Sequence, residues 1–141
     1  MLKELGVEHR FWKVNIRPGM PLLFGTKGET AVFGLPGNPV STMVTYLKFV
    51  RPALRRLEGR PADAGVIRFR AALEHDYVKS DGKRHFVRGI LGEREGAPVV
   101  RSTGSQVSNI LTSLSLANCL IVFPEEERTF AAGERVEVQL L

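Results

Sequence analysis

The stretch Gly34-Leu35-Pro36-Gly37-Asn38-Pro39-Val40-Ser41 joins an apolar strand to the only long helix pattern in the chain. Ala31, Val32 and Phe33 before it are strand formers. Gly-Leu-Pro-Gly then supplies a rigid turn with two positions free to adopt φ > 0 or to admit a ligand close to the backbone. Asn38 suits an N-cap and Pro39 the first helical position, where an N–H would be orphaned in any case. Val40, Met43, Val44, Leu47, Val50, Leu54 and Leu57 follow at helical spacing, so one helix face is apolar. The helix N-terminus is expected to aim unsatisfied N–H groups and the positive end of its dipole over the turn, which favours a phosphate or an oxoanion. Taken alone, the segment reads first as a well-capped helix after a strand, because such units are common and it is neither a P-loop nor a GxGxxG.

Working outward, three short strands precede the helix. Phe11 to Arg17 alternates, with Trp12, Val14 and Ile16 on one face and Lys13, Asn15 and Arg17 on the other. Pro18-Gly19 makes a turn, Pro21 to Thr26 a second strand, Lys27-Gly28-Glu29 a hairpin turn, and Thr30 to Phe33 the third strand. Residues 1–5 read as the last turn of a helix ending at Gly6. Pro52 removes the bond to the Lys48 carbonyl and should kink or restart the helix, and Gly59 and Pro61 end it. A few strands and one helix leave sheet faces and edges uncovered, so a partner or further chain is expected to complete this part.

Arg60 to Gly65 is the expected linker. Beyond it the pattern turns to strands: Val66 to Leu73, Tyr77 to Lys79, His85 to Leu91, Val99 to Ser102, Cys119 to Phe123 and Arg135 to Leu140, with turns at Ser80-Asp81-Gly82 and Gly92 to Gly96. A short helix over 105–117 is expected to close one end of this module. The fold class is therefore an α/β segment, short strands plus one long helix, over 1–63, followed by a small all-β barrel over 64–141.

Composition restricts the partners. The chain has 141 residues, 43% hydrophobic and 25% charged, and a net charge of +5, which suits an ordinary globular protein. The excess is local: residues 1–65 carry ten Lys/Arg against five Asp/Glu, and the rest is balanced. Such a half attracts anions, but no basic run exceeds Arg55-Arg56 and no aromatic-basic interleaving occurs, so nucleic acid is not the expected partner. No apolar run reaches the ~20 residues needed to span a bilayer and no secretory signal opens the chain, so no membrane partner and a cytoplasmic location are expected. Cys119, the only cysteine, excludes an internal disulfide and a cysteine-based metal site, and reads as a small buried hydrophobe.

The ordered combination Phe11-Trp12-Lys13-Val14-Asn15-Ile16-Arg17-Pro18-Gly19-Met20-Pro21, Gly34 to Ser41, and Phe49-Val50-Arg51-Pro52 resembles the molybdopterin molybdenumtransferase family, which includes bacterial MoeA and the E domain of gephyrin. Gly82-Lys83-Arg84-His85-Phe86-Val87-Arg88-Gly89, Gly104-Ser105-Gln106 and Asn118 to Val122 resemble that family's C-terminal barrel. The resemblance covers essentially the whole chain but only the last third or so of a family member: the end of the α/β molybdopterin-binding domain plus the barrel. It implies insertion of molybdenum from molybdate into adenylylated molybdopterin, with Mg2+, by a homodimer whose cleft lies between subunits. It assigns Lys13 and Arg17 to the cleft's basic residues, Pro36 and Pro39 to the motif, and Arg88 to a basic residue reaching in from the barrel. With Gly37, Asn38 and Ser41 of the same turn, these form the expected anion-binding set. The resemblance implies a lysine where this chain has Arg17, and often another where it has Met20; the first change keeps charge but alters geometry, and the second loses charge. The family's acidic residues and Gly-rich phosphate loop are expected upstream of Met1, so missing domains or a partner chain would complete the enzyme and no catalytic residue is assigned here. The rival is a non-catalytic dimerisation or peptide-binding module of the gephyrin type.

Other polar clusters have plainer readings. Without the resemblance, Lys13 and Arg17 are a solvated strand face. Arg88 either serves the cleft or packs its stem on the barrel and snorkels outward. His75, with Asp76, and His85 suggest a metal pair but lie in different strands without a third ligand, and are expected to face solvent or a hairpin neighbour; Glu125-Glu126-Glu127 reads as an exposed loop. Ser105 and Gln106 suit a helix cap first and a ligand contact second.

Overall fold

A computed structural model describes residues 4–104, 106 and 115–141. The chain divides into two compact units, Met1–Ala64 and Gly65–Leu141.

In the first unit, β1 (Glu8–Trp12) is followed by a short extended pair, β2 (Ile16–Arg17), then β3 (Leu23–Lys27) and β4 (Thr30–Gly34). An antiparallel sheet runs β1-β3-β4, with Phe24 opposite Phe33 and Phe11 opposite Phe24. The rings of Phe11, Phe24 and Phe33 make a row with centroids 5.6 and 4.9 Å apart, a cross-strand contact that fixes register.

The helix begins as α1 (Pro39–Thr45), passes through one π-helical turn (Tyr46–Val50), and continues as α2 (Arg51–Leu57). The π turn is the structural effect of Pro52. Its missing N–H and its ring disturb the preceding turn, and the Arg51 N–H bonds to the Tyr46 carbonyl, five residues back, so the helix absorbs an extra residue and continues. One extra residue rotates α2 by about 100° relative to a regular helix. The expected apolar face is thereby corrected: Val40, Val44 and Leu47 are buried, whereas Leu54 and Leu57 are exposed. Arg51 and Arg55 are instead half-buried. Burial, reinforced by the Arg55 charge and partly offset by Tyr46, lowers the Arg51 pKa. Gly59, at φ +74, ends the helix with bonds from the Gly59 N–H to the Arg56 carbonyl and from the Arg60 N–H to the Arg55 carbonyl, a Schellman closure.

The second unit is a barrel of five strands: β5 (Arg68–Leu73), β7 (Arg84–Arg94), β8 (Ala97–Ser102), β9 (Cys119–Phe123) and β11 (Arg135–Leu140), with two-residue strands β6 (Tyr77–Val78) and β10 (Thr129–Phe130) paired beside it. The order β7-β8-β5-β11-β9 closes because β7 also pairs with β9. Gly89 is the point of exchange: residues 85–89 of β7 face β9 and residues 89–94 face β8. A Cβ there would lie 2.8 Å from Ile121 Cγ1 and 2.9 Å from Cys119 Sγ, so a side chain would push the two strands apart. The turn expected at Gly92 to Gly96 is shorter, because β7 runs on to Arg94 and the reversal falls on Glu95-Gly96, both at positive φ. Cys119 is buried in the core with Ala71, Val100, Phe123, Phe130 and Val138. Burial pushes its thiol up to about 11 against a small opposing effect of the Leu91 backbone. Of the helix expected over 105–117, Ser105 and residues 107–114 lie outside the described residues.

The β6–β7 turn carries a polar network the sequence did not announce. Asp81 accepts from the Lys83 N–H (3.1 Å), Lys83 Nζ (2.9 Å) and His85 Nε2 (2.8 Å). The buried His85 meets the Tyr77 hydroxyl through Nδ1 at 3.1 Å. Burial alone would raise the Asp81 pKa, but the donors on Lys83 and His85 outweigh it and hold the carboxyl well below the usual carboxylate range. A depressed native pKa stabilises the fold at pH values above the unfolded pKa of about 3.9, and that contribution is lost as pH falls toward the native value. Asp81→Asn is therefore expected to lower the urea midpoint at pH 7, with the gap from wild type closing as pH is lowered from about 4 toward 2. Parallel curves across that range would exclude this linkage.

Candidate anion-binding site

The candidate residues of the first unit fall on two segments that touch. The first is the loop from Lys13 to Leu22, closed by bonds from the Lys13 N–H to the Leu22 carbonyl and from the Val14 N–H to the Met20 carbonyl, both 2.9 Å. The second is the 34–41 turn with the start of α1. Gly19 brings them together: buried at φ +104, its Cα lies where a Cβ would be 2.6 Å from Thr45 Cγ2 and 3.5 Å from the Ser41 carbonyl. Lys13 and Arg17 thus belong to one loop seated on the first turns of α1.

The uninterrupted alternation expected over Phe11 to Arg17 is not what the chain does. The strand ends at Trp12, and Lys13 adopts φ +71, a conformation uncommon outside glycine and asparagine. In an extended strand Lys13 and Trp12 would point to opposite faces. Here the Lys13 ammonium sits 4.4 Å from the Trp12 ring centroid. Lys13 and Arg17 are exposed cations, but they share a loop rather than a strand face.

The start of α1 also differs from expectation. Asn38 Oδ1 accepts from the Val40 N–H at 3.2 Å and from the Ser41 N–H at 3.5 Å. The Thr42 N–H bonds to the Asn38 carbonyl, and Pro39 has no N–H. The donors expected to face an anion are engaged within the protein, leaving the helix dipole and the side-chain cations as the attraction. Pro36 and Ser41 are buried, Asn38 is half-buried, and Gly37 and Pro39 are exposed at the rim. Sequence reasoning missed Thr42, whose hydroxyl donates to the Pro36 and Asn38 carbonyls and so ties the turn to the helix.

Arg88, in the second unit, does not snorkel outward. It is fully buried, and burial lowers its pKa against a raising effect from Tyr77. Its backbone is clamped by Gln106: the Arg88 N–H donates to Gln106 Oε1 at 3.0 Å, and Gln106 Nε2 donates to the Gly104 carbonyl at 3.0 Å. Gln106 therefore fastens a loop to β7. His75 and Asp76 are exposed. Glu125 pairs with Arg84 at 3.1 Å, and the buried Lys79 ammonium holds the Pro124 and Glu125 carbonyls. Among the described residues no helix is long and apolar enough to cross a membrane.

Two family models divide the chain between them. "Probable molybdopterin binding domain" matches residues 1–56 and "MoeA C-terminal region (domain IV)" matches residues 70–141, just over half the chain. The chain belongs to the MoeA family. Molybdopterin molybdenumtransferase of Haemophilus influenzae is 36% identical over 99% of this chain and 34% of its own length. Molybdopterin molybdenumtransferase 2 of Mycobacterium tuberculosis is 39% identical over 94% and 32%. Gephyrin of Dictyostelium discoideum is 34% identical over 100% of this chain and 23% of itself. The chain thus spans about a third or less of the length of these relatives. Among solved structures, the MoeA protein of Pyrococcus horikoshii superposes with a TM-score of 0.77 at 28% identity, over 96% of this chain and 33% of its own. A molybdenum cofactor biosynthesis protein of Pyrococcus furiosus does so with a TM-score of 0.77 at 33% identity, over 96% and 46%. The strand-and-helix unit and the barrel both have counterparts in these solved structures.

Proposed function

We propose that this chain acts in molybdenum cofactor biosynthesis, as the part of a molybdopterin molybdenumtransferase that holds the anionic groups of its substrates, molybdate and the phosphates of adenylylated molybdopterin. The observation that supports the reading is the seating of Gly19 against Ser41 and Thr45 of α1, on a loop that also carries two exposed cations, Lys13 and Arg17. The relatives named molybdopterin molybdenumtransferase supply the substrate class.

Lys13 and Arg17 contribute charge neutralisation and charge-assisted hydrogen bonds to oxoanion and phosphate oxygens. The Pro36 to Pro39 turn is held rigid by Asn38 and Thr42. Arg88, fully buried within the second unit, is given no contact with the anion. Among the described residues no group of three or more His, Cys, Asp or Glu side chains is placed to hold a metal ion, and none is assigned to Mg2+. The full reaction requires the further polypeptide of the longer relatives, and the working unit is a homodimer.

The test is calorimetric titration of the folded chain with molybdate. Saturable binding is expected, weakening as ionic strength rises from about 0.05 to 0.5 M. Lys13→Ala should reduce affinity about tenfold with the unfolding midpoint unchanged, because an exposed cation contributes little packing. A folded chain that ignores molybdate, or a Lys13→Ala variant that binds it normally, would remove the anion reading and favour a module without chemistry.

A further inference from the structure

We propose that Trp12 is a positioning residue for Lys13, an aromatic rest that holds the ammonium where the anion is met. The inference rests on the reading of Lys13 as an anion ligand, and its own support is geometric. Trp12 is the sole tryptophan and is 63% exposed, unusual for the largest apolar side chain of a small protein. The Lys13 ammonium lies 4.4 Å from the centroid of this exposed ring. A cation over an indole face is attracted by the ring quadrupole, and Trp is the strongest of the three aromatic partners.

The backbone makes the contact. Continued extension at Lys13 would send its side chain to the face opposite Trp12. The φ of +71 at Lys13 turns it back over the ring, and the bond from the Lys13 N–H to the Leu22 carbonyl at 2.9 Å pins that turn one residue beyond the Trp12–Leu23 pair of the ladder.

A free lysine side chain loses much rotamer freedom when an anion fixes it. One already resting on a ring has lost part of that freedom, so the anion orders less. The ring covers one side of the ammonium and leaves its other N–H donors for oxygen acceptors. Trp12 thus raises anion affinity without touching the anion.

The test compares Trp12→Leu, which keeps an apolar side chain but no π face, with Trp12→Phe, which keeps a ring, and with Lys13→Ala, in the chain titrated with molybdate by calorimetry. Trp12→Leu should weaken binding about threefold, and Trp12→Phe should restore most of the loss. In NMR spectra the Lys13 ε-methylene protons should lie upfield in the wild type from the ring current and return to ordinary lysine values in Trp12→Leu. Because Trp12 is exposed, unchanged unfolding midpoints are expected for both variants. Equal affinities for wild type and Trp12→Leu, or tighter binding by Trp12→Leu, would overturn the positioning role, as would ordinary wild-type ε-methylene shifts. If Lys13→Ala binds molybdate normally, the anion reading itself falls and the ring contact is structural only. A loss in Lys13→Ala without one in Trp12→Leu rejects the positioning role alone.

Discussion

Gly19→Ala should destabilise the first unit by roughly 2–4 kcal/mol, among the largest effects of any single methyl in the chain. Two costs coincide. The backbone is at φ +104, where an L side chain is strained whatever the space around it. The added Cβ would also lie 2.6 Å from Thr45 Cγ2. Thr45 cannot turn aside, because it is fully buried and its hydroxyl donates to the Ser41 carbonyl at 2.8 Å; another χ1 rotamer would break that bond and move the methyl into packed surroundings. The 13–22 loop must therefore lift from α1. Trp12 fluorescence should follow the transition, with the urea midpoint falling, and molybdate affinity should fall with it because Lys13 and Arg17 travel with the loop. A Gly19→Ala chain with wild-type stability would mean the loop is not seated on the helix.

What could be read from the sequence was what short-range chemistry decides. Asn38 and Pro39 announce a helix start by side-chain oxygen and missing N–H, and the structure places both there. Cys119 to Phe123 and Arg135 to Leu140 are strands with the expected bounds, since an unbroken apolar run and a clean alternation leave few options in a small barrel. The site was less legible. Lys13 has no sequence mark of a positive φ; the loop closure at Leu22 and Met20 imposes it, and the alternation from Trp12 to Arg17 concealed the break. Pro52 did signal a disturbed helix, but not its resolution by a π turn, which decided that Leu54 faces outward. The expected free N–H donors failed for an instructive reason: the same Asn38 that marks the helix start consumes them. Gln106, read as a cap, binds the backbone of Arg88 18 residues away, a partner that only tertiary structure supplies.

Phe123→Ala is expected to cost about 3–5 kcal/mol, the largest effect of any substitution argued from this barrel. Phe123 is fully buried at the end of β9. Its ring stacks on Tyr77, with centroids 4.3 Å apart and planes within 7°, and packs at 4.5 Å against Phe130. Truncation removes the transfer free energy of a full aromatic side chain and leaves a cavity that closed strands cannot collapse to fill. It also removes the support of Tyr77, whose hydroxyl meets His85, which in turn donates to Asp81. The loss should therefore spread from packing into the β6–β7 turn. Phe123→Leu retains much of the apolar volume and should cost markedly less, which separates cavity formation from general intolerance at the site. In a double-mutant cycle with Asp81→Asn, the pair should show a coupling of about 0.5 kcal/mol or more, because both act on the Tyr77–His85 contact. Strict additivity would mean that the aromatic stack and the polar turn stabilise the barrel independently.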